Sequence, residues 1–310
     1  MNPTNNFPDF LPPEAEQLVE PESIALARCI QRRPIATPLS AAPIVTSYVK
    51  QGEGETPLLL IHGFDSSVME FRRLLPLLAN HAETWAVDVL GFGFTERRAD
   101  VPIDPAAIAT HLHAFWKAVI DRPVVLVGAS MGGAIAIDFA CTYPDSVKQL
   151  VLLDSAGFAK GPAIGKFLVP PLGWLATEFL RNPRVRSRIS ENAYYDKNLN
   201  SPDAQCCAAL HLRLPRWSQA TIAFTKSGGY PLMTDKIAQI AQPTLILWGQ
   251  NDRILGTEDA TKFERTIPHS QLVWVPQCGH VPHLEKPNFV AEEILQFIGC
   301  PFPDTSQCSG

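Results

Sequence analysis

Three observations predict an α/β protein built on a mostly parallel, doubly wound sheet with an inserted helical cap. Six short apolar runs recur along the chain, separated by loops and helix-like stretches. The runs are nearly continuous rather than alternating, as strands buried on both faces of a parallel sheet should be. Between Ser155 and Pro243 the rhythm stops for a stretch too long to be a loop.

In chain order the runs are PLLLIHG (57–63), TWAVDVLG (84–91), PVVLVGAS (123–130), QLVLLDSA (149–156), PTLILWG (243–249) and QLVWVP (271–276). Residues 105–120, 131–143 and 287–298 read as helices between and after them. Strands alternating with helices wind a sheet right-handedly. These runs place a core at 44–157 and 238–300. Residues 158–237, broken by Gly and Pro, read as a helical cap over the carboxyl ends of the strands. Residues 1–43 carry eight prolines and read as a surface arm, with a short amphipathic helix at 23–33 placing Ile24, Ala27 and Ile30 on one face. Residues 301–310 form a tail.

Composition narrows the function classes. With 310 residues, 46% hydrophobic, the chain suits one large domain or a core with a subdomain. A net charge of -5 excludes the basic excess of a nucleic-acid binder. Seven cysteines, an odd number with no C-x-x-C pair, argue against a disulfide framework or zinc site and for a reducing compartment. Cys278, two residues before His280, is read as a loop or core residue open to thiol reagents. The polar, proline-rich start lacks a signal-peptide pattern, and no apolar run is long enough to span a bilayer. A cytoplasmic protein is expected, with membrane-peripheral contact as an option.

The sharpest local signal is VVLVGASMGGAIAI, a strand running through Ser130 into a helix that begins near Met131. It fits G-x-S-x-G, in which a strained strand-to-helix turn lifts the serine oxygen above the sheet. Gly128 and Gly132 leave room two positions to either side, and Gly133 lets the helix pack closely. The plainer alternative is a Gly-rich turn with an ordinary serine.

A serine nucleophile needs a base, and the base needs an orienting carboxylate. After TLILWG the GQNDR loop presents Asp252, and after QLVWVP the QCGHVPHLEKP loop presents His280. The order Ser, Asp, His is the one this architecture uses. Asp154, at the end of an earlier strand, competes for the role of acid, and His283 competes with His280. His111 and His113 fall within a helix and read as packing or surface residues. Backbone N–H groups of Phe64, in HGF (62–64), and Met131 are the expected oxyanion-hole donors, with His62 in a structural hydrogen bond.

With HGF, GASMGG, the GQND loop and CGH, together with DVLGFGFT (88–95), the chain resembles the α/β-hydrolase superfamily over about residues 44–300. HGFDSSVMEFRRLLPLLA and TWAVDVLGFGFT look most like hydrolases of cyanobacteria and plastids, some proposed to cleave esters of chlorophyll-type pigments. GASMGGAIAIDFACTYPDSVKQLVLLDSAG is also similar to meta-cleavage-product hydrolases, which break carbon–carbon bonds. Those enzymes usually carry Trp after the catalytic His, where Val281 stands here. The resemblance implies ester hydrolysis through an acyl-enzyme on Ser130 with no metal or organic cofactor. C–C hydrolysis and a non-catalytic ligand-binding role on the same fold stay open as alternatives.

The expected substrate is an apolar or amphiphilic, lipid-like ester. AIGKFLVPPLGWLATEFL (163–180) supplies apolar side chains for a channel or for packing. Arg181, Arg184 and Arg188 are placed on one helical face. Residues 158–237 hold eleven Lys and Arg against five Asp and Glu, so a basic cap over an acidic body suits an anionic lipid surface. Tyr194 and Tyr195 are candidates to face the site. The oligomeric state is not specified by the sequence.

Overall fold

The computed structural model describes residues 7–158, 172–230 and 232–300. Residues 1–6 of the N-terminal arm, residues 159–171 of the cap and the 301–310 tail lie outside the described residues.

The chain begins with α1 (Pro21–Cys29), β1 (Gln31–Thr37), β2 (Ser40–Gln51) and β3 (Leu58–Ile61). There follow α2 (Leu75–Ala79), β4 (Thr84–Val87), α3 (Pro105–Val119), β5 (Val124–Ala129), α4 (Met131–Thr142) and β6 (Val147–Leu153). Among the described residues, five α-helices come next: α5 (Leu172–Arg181), α6 (Pro183–Ala193), α7 (Pro202–Ala209), α8 (Trp217–Lys226) and α9 (Thr234–Ala238). The chain then returns through β7 (Thr244–Gly249), α10 (Glu258–Thr266), β8 (Ser270–Val275), α11 (Pro282–Glu285) and α12 (Pro287–Phe297). One eight-stranded sheet has the order β1-β2-β4-β3-β5-β6-β7-β8. Strands β3 to β8 pair in parallel, and β2 runs antiparallel to both β1 and β4.

The continuous apolar runs have a direct physical reading. Leu59, Ile61, Leu126, Leu152 and Ile246 pack on one face of the sheet with α3 and α4. Their neighbours Leu58, Leu60, Val125, Val127, Val151 and Leu245 pack on the other with α1, α2 and α12. Both faces are therefore dry, and every residue of β3, β4, β5 and β7 is buried. Each such side chain contributes roughly 1.5–3 kcal/mol relative to exposure. The helices start where capping chemistry allows. Asp104 caps α3 by accepting from Ala107 N at 2.8 Å, ahead of Pro105.

The reading of residues 1–43 as a surface arm is corrected. Leu11, Ala15, Leu18, Leu26 and Ile30 are core residues, and β1 is an edge strand paired with β2 through Ile35↔Ile44. Arg32, Arg33 and Pro34 hid this strand, because an edge strand keeps one hydrogen-bonding side free and tolerates charge and proline. In the described α1, Leu26 and Ala27 are buried and Ile24 only partly so. The arm also meets the inserted helices: Asp203 of α7 accepts from Val19 N, Glu20 N and Ser23 Oγ.

Candidate active site

The strand-to-helix turn at Ser130 is under strain, with φ 53° and ψ -118° in a non-glycine residue. Such a conformation costs on the order of 1–3 kcal/mol and persists only where its surroundings enforce it. Ser130 N donates to Leu153 O at 2.9 Å, while Ser130 O accepts from Gly133 N and Ala156 N. The glycines are steric necessities. A Cβ on Gly128 would lie 2.3 Å from Gly132 O, and one on Gly132 would lie 2.1 Å from Ile61 O. One on Gly133 would lie 2.1 Å from Ser155 Oγ, so Gly133 admits the end of β6.

Three loops at the carboxyl ends of β5, β7 and β8 bring Ser130, Asp252 and His280 together. His280 Nε2 is 3.0 Å from Ser130 Oγ, and His280 Nδ1 is 2.9 Å from Asp252 Oδ2. An ionised Asp252 accepts only, so it fixes the proton on Nδ1 and leaves the Nε2 lone pair for the serine hydroxyl. Burial would raise the Asp252 carboxyl, but His280 and the Ile254 and Leu255 amides outweigh it and hold the group below its ordinary value. The His280 loop is pinned from behind: His280 N donates to Ala193 O at 2.7 Å, and Gly279 N to Glu285 Oε2 at 2.8 Å.

Asp154 sits beside this relay but does not hold the histidine. Its Oδ1 accepts from Gly249 N at 3.0 Å, and burial, then the adjacent Asp252 charge, push its carboxyl well above the usual range. A buried acid that keeps its proton next to an ionised one is the expected outcome for two close carboxyls. Asp154, Asp252 and His280 also lie near enough to one another to hold a cation. Both imidazole nitrogens, however, already face Ser130 and Asp252.

His283 is the other histidine of this loop. It is buried in α11 and lies 2.9 Å from Glu70 Oε1, while Glu70 Oε2 accepts from Gly63 N at 3.0 Å. Burial would raise the Glu70 carboxyl, yet His283, Ser66 and His62 hold it at about 2. Gly63 thereby lies against the turn at Ser130, where a Cβ would meet Ser130 Cβ at 3.4 Å. His62 plays the structural part expected of it. Nδ1 lies 2.8 Å from Gly63 O, Nε2 accepts from Val89 N, and burial brings the ring down to about 4, so it is neutral. Asp88 of the DVLGFGFT stretch accepts from Val68 N and Phe94 N and ties that loop to the HGF loop.

Asp65, which carries no motif in the sequence, is a polar tie between core and inserted helices. Its Oδ1 accepts from His211 Nε2 at 3.1 Å and Trp217 Nε1 at 2.7 Å, and its Oδ2 from Arg186 Nη1. Burial opposes ionisation there, but these partners hold the carboxyl at about 2. Only its φ of 50° has a sequence correlate, since Asp tolerates left-handed backbone in a turn.

A cavity of about 670 Å³ opens above Ser130 and His280. Phe64, Met69, Leu180, Ile189, Leu212 and Leu284 supply much of its apolar wall, and Met131 begins α4 directly after the serine. Arg181, Arg184 and Arg188 do not share one helix: Asn182 ends α5 and caps α6, with Pro183 following, and Arg181 and Arg186 line the cavity while Arg184 and Arg188 do not. Tyr194 is buried and lines the cavity, whereas Tyr195 is exposed. His111 is buried against Thr46 and His113 stacks on Tyr143, so both are packing residues. Cys278 is buried, and burial raises its thiol far above the usual range, which makes it inert rather than reagent-accessible.

This sheet, elbow and residue order define the class, and comparison with known proteins agrees. The family model for the alpha/beta hydrolase fold matches residues 56–287, and the chain belongs to that family. It is 34% identical over 300 residues to the alpha/beta hydrolase domain-containing protein VTE7 of Arabidopsis thaliana, covering 94% of this chain and 91% of the relative. That relative accords with the plastid-type resemblance of the sequence. A 2-hydroxy-6-oxo-6-(2'-aminophenyl)hexa-2,4-dienoic acid hydrolase of Metapseudomonas resinovorans is 29% identical over 272 residues, covering 84% and 89% of the two chains. Among solved structures, a thermophilic esterase of Thermogutta terrifontis superposes with a TM-score of 0.74 at 26% identity, covering 87% of this chain and 98% of that one. The chain is a hydrolase by family. No helix among the described residues is long and apolar enough to cross a membrane.

Proposed function

We propose that the protein is a serine hydrolase that cleaves a carboxylic ester through an acyl-enzyme on Ser130. The observation that carries this reading is the relay from Ser130 Oγ through His280 to Asp252, at 3.0 and 2.9 Å. His280 takes the Ser130 proton as Oγ attacks the ester carbonyl, and Asp252 stabilises the imidazolium that forms. The tetrahedral oxygen is received by the backbone amides of Phe64 and Met131. His280 then returns its proton to the leaving alcohol, and a water activated by the same imidazole hydrolyses the acyl-enzyme. This chemistry needs no metal or organic cofactor. The apolar cavity wall suits a small-molecule or lipid-like ester. Hydrolysis of a chain-length series of p-nitrophenyl esters tests the proposal: turnover by the unmodified protein should vanish in Ser130→Ala without loss of fold. Substantial residual turnover in that variant would remove Ser130 from the mechanism.

A second reading, C–C hydrolysis of a vinylogous diketone, is favoured by the likeness to the dienoic acid hydrolase. It requires turnover of coloured dienol substrates with little esterase activity. A lipid-surface role extends the ester reading, since α5 exposes Leu172, Trp174, Leu175 and Phe179. Co-sedimentation with anionic vesicles, lost in Trp174→Ser/Phe179→Ser, is the result expected of it.

A further inference from the structure

The cavity's charged residues balance, apart from one. Arg186 is paired with Asp65, Arg181 Nη1 lies 3.7 Å from Glu178 Oε1, and Arg213 Nε lies 2.9 Å from Glu14 Oε1. Glu70 is occupied by Gly63 N and His283. Arg72 follows the short helical turn Val68–Phe71 and also lines the cavity. It is only 2% exposed. Its Nε and Nη2 have no hydrogen-bond partner, and Nη1 makes a single long contact with Met69 O at 3.4 Å. Among the described residues no carboxylate forms an ion pair with it. The acids whose fields reach it are committed elsewhere: Glu20 to Arg73, and Asp203 to Val19 N, Glu20 N and Ser23.

A buried guanidinium with two unused donors is among the least favourable groups a protein interior can retain, unless something supplies the opposite charge. Its donors are arranged as a rigid fork that matches a planar carboxylate. From the inserted helices, the Tyr194 hydroxyl lies close to it, and burial raises that hydroxyl so that it keeps its proton to donate. Arg72 and Tyr194 line the same cavity as Ser130 and His280.

We infer that this cavity contains a carboxylate subsite built on Arg72 and Tyr194, so that the preferred ester carries a free acid group as well as the bond to be cut. The inference rests on the serine-hydrolase reading for which bond is cut, but the subsite is a statement about binding and is tested as one. The probes are monomethyl esters of the straight-chain diacids from succinate to suberate, each paired with the neutral methyl ester of matching length. They are titrated calorimetrically into full-length Ser130→Ala protein. At the length that spans from Ser130 to Arg72, the acid ester should bind roughly 10- to 100-fold more tightly than its neutral partner, the range expected for hydrogen bonds to a charged group.

Arg72→Met in that background should abolish the preference, and Arg72→Lys should keep part of it as a point charge without the fork. Equal affinities across the whole series overturn the inference, as does a preference that survives in folded Arg72→Met protein. If Arg72→Met does not fold, Tyr194→Phe decides the matter: a weakened preference supports the subsite and an unchanged one overturns it. Failure of the unmodified protein to hydrolyse any ester would instead count against the reaction assigned to Ser130 and leave the binding result standing.

Discussion

Replacing Asp65 by Asn keeps the shape of the side chain and removes its charge, and the structure says what that should cost. One carboxylate oxygen receives His211 and Trp217, and the other receives Arg186. An amide oxygen can serve only one of those two sides, so its NH₂ must confront donors on the other. A carboxyl held at about 2 instead of 3.8 is bound by its folded surroundings about 2–3 kcal/mol more strongly as carboxylate than as acid. Breaking a buried charge pair typically costs on the order of 3–5 kcal/mol, so the two arguments meet near 3. Urea unfolding at pH 7 should therefore show Asp65→Asn destabilised by about 2–4 kcal/mol.

The pH dependence has a definite sign. The folded-state value is depressed, so the contribution is complete above about pH 4 and is lost as pH falls toward 2. The gap between the two proteins should stay constant from pH 8 to about 4 and narrow between about 4 and 2. A gap under about 1 kcal/mol at pH 7, or one indifferent to acidification, would refute the view that Asp65 ties the inserted helices to the core. A double-mutant cycle with Arg186→Met should assign about 1–3 kcal/mol of the loss to that pair.

Other expectations follow from the same geometry. Asp252→Asn should lower kcat on p-nitrophenyl butyrate by about 10⁴-fold through loss of the Nδ1–H tautomer, whereas Asp154→Asn, which replaces an acid that already holds its proton, should cost less than about tenfold; the reverse ranking would transfer the acid role to Asp154. Gly132→Ala drives a Cβ to 2.1 Å from Ile61 O, so it should destabilise by at least about 1–3 kcal/mol and lower turnover together, and unchanged thermal unfolding would contradict the packing described. Native protein treated with iodoacetamide should show no label on Cys278 by peptide mass spectrometry, while urea-unfolded protein should be labelled there.

What could be read from the sequence was whatever neighbouring residues decide. The strands of the parallel part are legible because burial on both faces leaves no polar position in the run. The turn at Ser130 is legible because Gly128, Gly132 and Gly133 are each demanded within five residues of it. The β1–β2 pair was lost because Arg32, Arg33 and Pro34 suit an edge strand and mimic a loop. Asp65, Glu70 and Arg72 were not legible, since their partners come from Arg186, His283 and the cavity itself, more than a hundred residues away or not in the chain at all. The expected arginine face failed on one local detail, the Asn182-Pro183 break.

The pairing of β6 with β7 across the inserted helices also has a consequence for biosynthesis. Leu150–Leu153 lie against Thr244–Leu247, so about 90 residues must leave the ribosome between one strand and its partner, a delay of roughly 5–18 s at ordinary translation speeds. During that interval the side of β6 that faces β7 is an open apolar edge, the kind of surface on which nascent chains associate wrongly. Asp252 and His280 emerge later still, so a ribosome-bound chain carries Ser130 long before it carries the residues that complete the hydrogen-bonded relay around it.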